Sequence, residues 1–450
     1  MTDHAGTAAS GPPRTRPVAA ALNQWFRRPP RIHGEVDHER TVSFLELFYD
    51  LVFVVLVSQV AHTLAVHPTW HGLLDFVVVF SLIWIAWLNG SLHHEGHGRE
   101  DGRGRGNIFG QMSILVVLAV FTAHATTTDG RDFALTYTVL ICWIAWQWNT
   151  VRRHDVVPRY RRIAGRYILM LVVSAALMLV STFLPQGARF AVWALVVAIN
   201  AFAPLVDVRH GDDRQLGLMP TESLVERFAL LTIIMLGEVV VGVVNGVTET
   251  DRSPLVIVTA LLALGIGFGF WWNYFDLVGR RVPRATYRAF LPWVFFHLPL
   301  TMAIAGSGAG MVGLIAHATD AHTPAGVGWL VAGSSAALLV LIALISTRIE
   351  YASAPLRVLV PLMQRRLVAG ALACLAVGVV MPAPWLFALL VALVHMFFWA
   401  SLFVSLARHT DHFVSGTGTV TGTGTVTGTG TVTGTGTVTG TGTGTDERVG

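Results

Sequence analysis

Twelve apolar blocks, most of them long enough to cross the hydrocarbon core of a bilayer, dictate what this chain can become. They run over approximately 44–66, 72–92, 108–126, 132–151, 163–183, 188–206, 227–247, 254–278, 288–316, 325–347, 366–381 and 383–404. Lipid offers no water to backbone amides, so such blocks must close their hydrogen bonds within themselves as helices. The expected fold class is all-α: a polytopic membrane protein of about 12 transmembrane helices, with the lipid bilayer as its solvent. Composition agrees, since only 13% of residues are charged, against roughly a quarter in soluble proteins. The eleventh block is short and the ninth long, which predicts one buried in protein and the other tilted or broken.

The cations test this count independently. All 31 are arginine, and arginine collects in the cytoplasmic connections of membrane proteins. With both ends of the chain inside, 28 arginines fall in inner segments and only Arg131, Arg189 and Arg252 in outer loops. A missed span would invert this alternation beyond the error, so the pattern predicts an even count and cytoplasmic N- and C-termini. It also accounts for the net charge of +4 without nucleic acid as a partner. The lack of lysine excludes a retinal or pyridoxal Schiff base and a P-loop. Cys142 and Cys374 lie in apolar blocks and read as core atoms, too few for a disulfide framework or a four-ligand zinc site. No cofactor is called for.

Residues 1–43 read as a disordered cytoplasmic tail that is expected to carry no cleavable signal peptide, with Trp25-Phe26-Arg27-Arg28 either mobile or lying at the headgroups. Residues 405–450 read as a second cytoplasmic tail, whose Gly-Thr and Val-Thr repeats over 416–445 cannot bury a core. Residues 44–206 and 207–404 then form two six-helix halves. Glu46-Leu47-Phe48 opens span 1 as Glu226-Arg227-Phe228 opens span 7, an offset of 180 residues; Trp87-Leu88-Asn89 ends span 2 as Trp271-Trp272-Asn273 ends span 8. These matches point to a parallel 6+6 duplication of the kind found in transporters, with chance similarity of apolar segments as the alternative.

An ionisable group near a helix centre costs about 2.5–3.5 kcal/mol on insertion scales, so each one needs a reason. Glu238 lies about ten residues into span 7, roughly 15 Å along a helix. Gly242, Asn245 and Gly246 continue its face, so another helix can approach closely while the carboxyl is kept from lipid. It reads either as an ion or proton site or as an interhelical hydrogen bond. Glu46 and Asp50 stand one turn apart on span 1 and repel unless a cation or a shared proton intervenes. Arg227, Arg105 and Arg40 are available at the same level, and Asn273 and Asp276 end span 8 at a similar depth. His297, before the helix-interrupting Pro299, reads either as a proton relay or as a satisfied core histidine. His62, His124 and His395 rank below it. The run His93-His94-Glu95-Gly96-His97 lacks the zincin spacing, and its glycine-rich surroundings predict a solvated loop rather than a metal site.

The string Phe44-Leu45-Glu46-Leu47-Phe48-Tyr49-Asp50-Leu51-Val52-Phe53-Val54 resembles the signature of the bacterial low temperature requirement protein A family. Glu226-Arg227-Phe228 through Leu236-Gly237-Glu238 resembles that family's second signature, and Trp271 to Asp276 and Phe296-His297-Leu298-Pro299 fit it. The resemblance covers roughly residues 40–405. It implies a multipass protein of the bacterial inner membrane and supplies no substrate. The chain departs from the family after span 2, where His93 to His97 replaces a short aspartate-containing segment.

Three functions compete. A secondary transporter or ion-conducting protein would use Glu238, Asp50, Glu46, His297, Asn245, Asn273 and Asp276 as an ion, proton or substrate site, with Arg227 and Arg105 as charge partners. Its partners would be a proton or other small ion and a small solute, and an oligomer is left open. An intramembrane enzyme finds little support: Tyr49-Asp50 lacks the Gly-x-Gly-Asp partner of aspartyl proteases, and Ala305-Gly306-Ser307-Gly308 lacks the first glycine of the rhomboid pattern. In a sensor or scaffold, the buried acids would only hold helices together.

Overall fold

A computed structural model of the protein describes residues 25, 29–32, 42–210, 220–351 and 354–415. Most of the expected N-terminal tail and the Gly-Thr repeat lie outside the described residues. Among those described, regular structure is helical, with one isolated bridge between Pro283 and Ile349.

The helices are α1 (Phe44–Val66), α2 (Trp70–His97), α3 (Gly102–Thr122), α4 (Gly130–His154), α5 (Pro158–Ser181) and α6 (Gln186–His210), then α7 (Glu222–Thr248), α8 (Pro254–Leu277), α9 (Tyr287–Ala316), α10 (Ala325–Ser346), α11 (Ala354–Val380) and α12 (Pro384–Ser415). Each apolar block of the sequence thus becomes one helix. Ten are long and apolar enough to cross a membrane. α4, interrupted by Thr136, Tyr137, Gln147 and three tryptophans, falls below that mark, and the apolar part of α12 is counted only over Pro384–Phe397.

The ends are set by local chemistry. Ser43, Thr69, Asp101, Thr221 and Ser253 each turn a side-chain oxygen onto an amide of the first turn they precede, satisfying donors that a helix start leaves open. At α1 the cap is reciprocal: Ser43 Oγ accepts from the Glu46 amide at 3.3 Å, and the Glu46 carboxylate accepts from the Ser43 amide at 3.1 Å. α5 and α8 begin with proline, whose missing N–H costs nothing there.

One expectation on length is corrected. α11 is 27 residues long rather than short. The arginines that interrupt its apolar block do not end the helix, because Arg366 donates to the Ser401 carbonyl of α12 at 2.9 Å. α9 is long, at 30 residues, but unbroken through Pro292 and Pro299.

Large apolar side chains cover the outside of the bundle, among them Phe44, Val120, Phe183, Leu261 and Val379. Soluble monomers do not expose apolar surface on this scale, and together with the helix lengths this makes the chain a multipass membrane protein. Residues up to Leu406 form one packed unit. Within it α1 packs on α2 and α3, α3 on α4, and α4 on α5; six helices later α7 packs on α8 and α9, α9 on α10, and α10 on α11. α1 touches α7, and α9 crosses to α1.

Candidate functional site

α1 and α7 meet through charge. Asp50, one turn beyond Glu46, is held by two donors on the same atom: Trp87 Nε1 of α2 at 2.9 Å and Arg227 Nη2 of α7 at 3.1 Å, both to Oδ1. Neither the Asp50 nor the Arg227 side chain exposes any surface. Arg227 Nη1 stands 3.7 Å from Glu46 Oε1 and donates to the Ser91 carbonyl at 3.4 Å. The guanidinium fork therefore joins three helices, as a planar multi-donor group can and an ammonium cannot. The Tyr49 ring is buried beside it and meets His94 edge-on, with centroids 5.4 Å apart.

Glu46 also lines a pocket of about 1030 Å³ at the arginine-rich end of the bundle. His93, His94 and His97 of α2, Gln147 of α4, and Arg103 and Arg105 of α3 line it too. Here the sequence reading is corrected. The histidine run is no hydrated loop: α2 continues to His97, and all three histidines are buried. Trp148 packs on His93 and His97, with centroids 5.6 and 5.2 Å away, and His97 Nδ1 lies 2.8 Å from the Arg31 carbonyl. Neither contact, made 51 to 66 positions away in the chain, is visible in the local composition. Among the described residues, no group of three His, Cys, Asp or Glu has the geometry to hold a metal ion.

Glu238 lies 11 residues beyond Arg227, roughly 16 Å along α7. It is buried, with Ser58 of α1 beside its carboxyl, and its Oε1 has no hydrogen-bond partner among the described residues. The two glycines beyond it act as the spacing predicts. A methyl on Gly242 would strike the Gly308 carbonyl of α9, and one on Gly246 would press on Ile315. A methyl on Gly308 would come within 2.6 Å of the Glu238 carbonyl, so the α7 and α9 backbones touch beside the acid.

The other sequence candidates stand elsewhere. His297 sits against the rings of Trp293, Phe228 and Tyr274, with its Nε2 3.1 Å from Tyr274 Oη and its Nδ1 2.7 Å from the Trp293 carbonyl. Asn273 pairs with His395 of α12 at 3.1 Å, and Asp276 is exposed beside Trp272 and Arg281. Neither joins the Asp50 cluster. Asn245 is partly exposed near the end of α7, and Arg105 lies over the Trp25 ring, 5.8 Å from its centroid. His62 and His124 are exposed, whereas Ser307 is buried with no partner for its hydroxyl among the described residues. Trp87, Tyr49 and Ser58 are not among the site residues expected from the sequence, where Trp87 enters only as a repeat match and Tyr49 only beside Asp50; their spacing on the inner faces of α1 and α2 could have signalled them.

The chain is similar to an uncharacterized protein of Rhizobium meliloti (strain 1021), with 24% identity over 317 residues, 67% of this chain and 74% of that one. The family described as bacterial low temperature requirement A protein (LtrA) matches residues 41–399, a stretch that takes in α1 through the first half of α12 and every residue of the buried cluster. On that match the chain belongs to the bacterial low temperature requirement A protein (LtrA) family.

Proposed function

We propose that this protein is a secondary transporter or ion-conducting protein of the bacterial inner membrane, with both termini cytoplasmic and the two six-helix halves related as parallel repeats. The observation that carries the reading is the Asp50–Arg227 pair: an ion pair with no exposed surface, placed where a helix of the first half meets one of the second. Charged groups within membrane helices are costly and commonly mark ion or substrate pathways. Glu46 connects the pair to the pocket at the arginine-rich end, which serves as the inner vestibule. Glu238 with Ser58 forms a second polar station deeper along the same two helices. The substrate would be a proton or other small ion, alone or with a small solute.

Charge displacement on a solid-supported membrane tests this reading. A pH or sodium jump applied to the reconstituted protein is expected to give a transient current that Asp50→Asn abolishes, with insertion unchanged. A wild-type current no larger than that of empty vesicles removes the reading.

A second reading, a membrane scaffold or sensor, is favoured by the doubly occupied Asp50 Oδ1 and by the use of Glu46 as a helix cap. It predicts that Asp50→Asn lowers stability and changes no current.

A further inference from the structure

The pocket at the arginine-rich end lies where the start of α1, the end of α2, the start of α3 and the end of α4 come together. Part of its lining belongs to the lipid-facing surface. Phe44 and Phe48, one turn apart on α1, and Trp146 of α4 line the pocket, and all three are exposed, Phe44 by 90%. In a membrane protein, apolar side chains exposed at a helix end face the acyl chains or the headgroup layer. The pocket therefore opens toward lipid along this aromatic rim.

The rest of its lining is polar, with an excess of cations. Arg31, Arg99, Arg103 and Arg105 stand in it against three acids, Glu46, Glu100 and Asp101. Glu46 is matched by Arg227, 3.7 Å away and outside the pocket lining, and also accepts from the Ser43 amide. Asp101 is buried and accepts from the Gly104 amide at 2.8 Å. Four arginines are thus set against two acids. Arg105 lies over the Trp25 ring, a contact made through the guanidinium face that leaves its N–H edge for an acceptor.

The floor carries polar groups with unused capacity. His93 and Gln147 line the pocket and are only 6% and 2% exposed. Gln147 Oε1 accepts from Gln111 Nε2 at 2.8 Å, but Gln147 Nε2 and both ring nitrogens of His93 close no hydrogen bond among the described residues. A buried donor left so is costly. A neutral imidazole offers one donor and one acceptor and the amide nitrogen two donors, a set that hydroxyl and phosphate oxygens satisfy.

We infer that this pocket binds the headgroup of an anionic phospholipid: its phosphodiester on the arginines, its headgroup hydroxyls on His93 and Gln147, and its acyl chains leaving past Phe44, Phe48 and Trp146. Basic pockets between membrane helices suit such headgroups. The volume, about 1030 Å³, is at the upper end of the range for small-molecule sites and more than a lone phosphate ion would fill. The aromatic rim likewise fits a lipid and has no use for a free ion. The site stands whether or not the protein moves ions, so its failure is separable from that of the transport reading.

Native mass spectrometry of the full-length protein in mild detergent tests it, with dioleoylphosphatidylglycerol as the anionic lipid and dioleoylphosphatidylcholine as its zwitterionic counterpart. Phosphatidylglycerol is expected to bind more tightly, and the Arg103→Gln, Arg105→Gln double variant to weaken it roughly thirtyfold, the attraction of two arginines. Arg162→Gln, at an exposed position of α5 outside the pocket, is expected to leave binding unchanged. A photoactivatable phosphatidylglycerol crosslinked to the wild-type protein is expected to label residues within 44–48, 93–108 or 146–150, which decides the matter even if the double variant does not fold. Equal binding of the two lipids overturns the inference, as does an equal loss in Arg162→Gln or labelling confined to other segments. Displacement of the lipid by inorganic phosphate, but not by chloride of equal ionic strength, would give the pocket to a free anion and overturn it too.

Discussion

Arg227 and Asp50, 177 positions apart in the chain, meet at 3.1 Å with no exposed surface on either side chain. Removing one member leaves the other charge buried and alone, which costs about 3–5 kcal/mol. Asp50→Leu and Arg227→Met are each expected to lower the thermal unfolding midpoint in detergent sharply. The double variant should lose less than the two single losses added, because it leaves no orphaned charge. A strictly additive double variant would show that the two groups do not stabilise one another.

Trp87 donates to the same oxygen of Asp50 while its ring meets Phe228 edge-on, with centroids 5.1 Å apart. Trp87→Phe keeps much of the ring packing and removes the N–H. The expected cost is about 1 kcal/mol, in the range for a single interhelical hydrogen bond in a membrane protein. In the Asp50→Asn background the same change should cost measurably less, as a double-mutant cycle in steric-trapping or thermal assays would read.

Gly242 and Gly308 are the closest backbone approach beside Glu238, and neither position has room for a methyl. Gly242→Ala and Gly308→Ala should each destabilise by about 1–3 kcal/mol, the usual cost of overpacking. Because both substitutions push the same helix pair apart, the second should cost less once the first is made. Thermal midpoints unchanged from wild type would mean that α7 and α9 are not in close contact.

The helices were legible because lipid enforces a simple rule of length and apolarity, and arginine placement supplied a second signal. That signal counted α4 as a span although Gln147 and its tryptophans depress its hydropathy. At the site, Glu46, Asp50 and Arg227 could be grouped by their level in the membrane. Trp87 could not, since its bond to Asp50 depends on the rotation of α2 about its axis, which no hydropathy pattern fixes. The histidine run misled for a related reason. Composition makes it look like a loop, whereas its burial comes from Trp148 and from residues 29–32, which reach it only in the folded chain. Asn273 pairs with His395 of α12 and Asp276 is exposed, so depth alone placed them wrongly beside Asp50.

His297 separates function from packing. Its ring has aromatic neighbours on three sides, Trp293 at 4.5 Å, Phe228 at 4.9 Å and Tyr274 at 5.9 Å between centroids, and both nitrogens have partners. A histidine so occupied has no nitrogen left to pass a proton onward without breaking a bond. Tyr274→Phe and His297→Phe are therefore expected to couple by about 0.6–1.7 kcal/mol in a stability cycle, the span of interhelical hydrogen bonds in membrane proteins. His297→Gln, measured beside Asp50→Asn in the charge-displacement assay, should keep a wild-type current while its unfolding midpoint falls. A current lost in His297→Gln at normal stability would instead put His297 on the ion path and make the Tyr274 bond part of a relay.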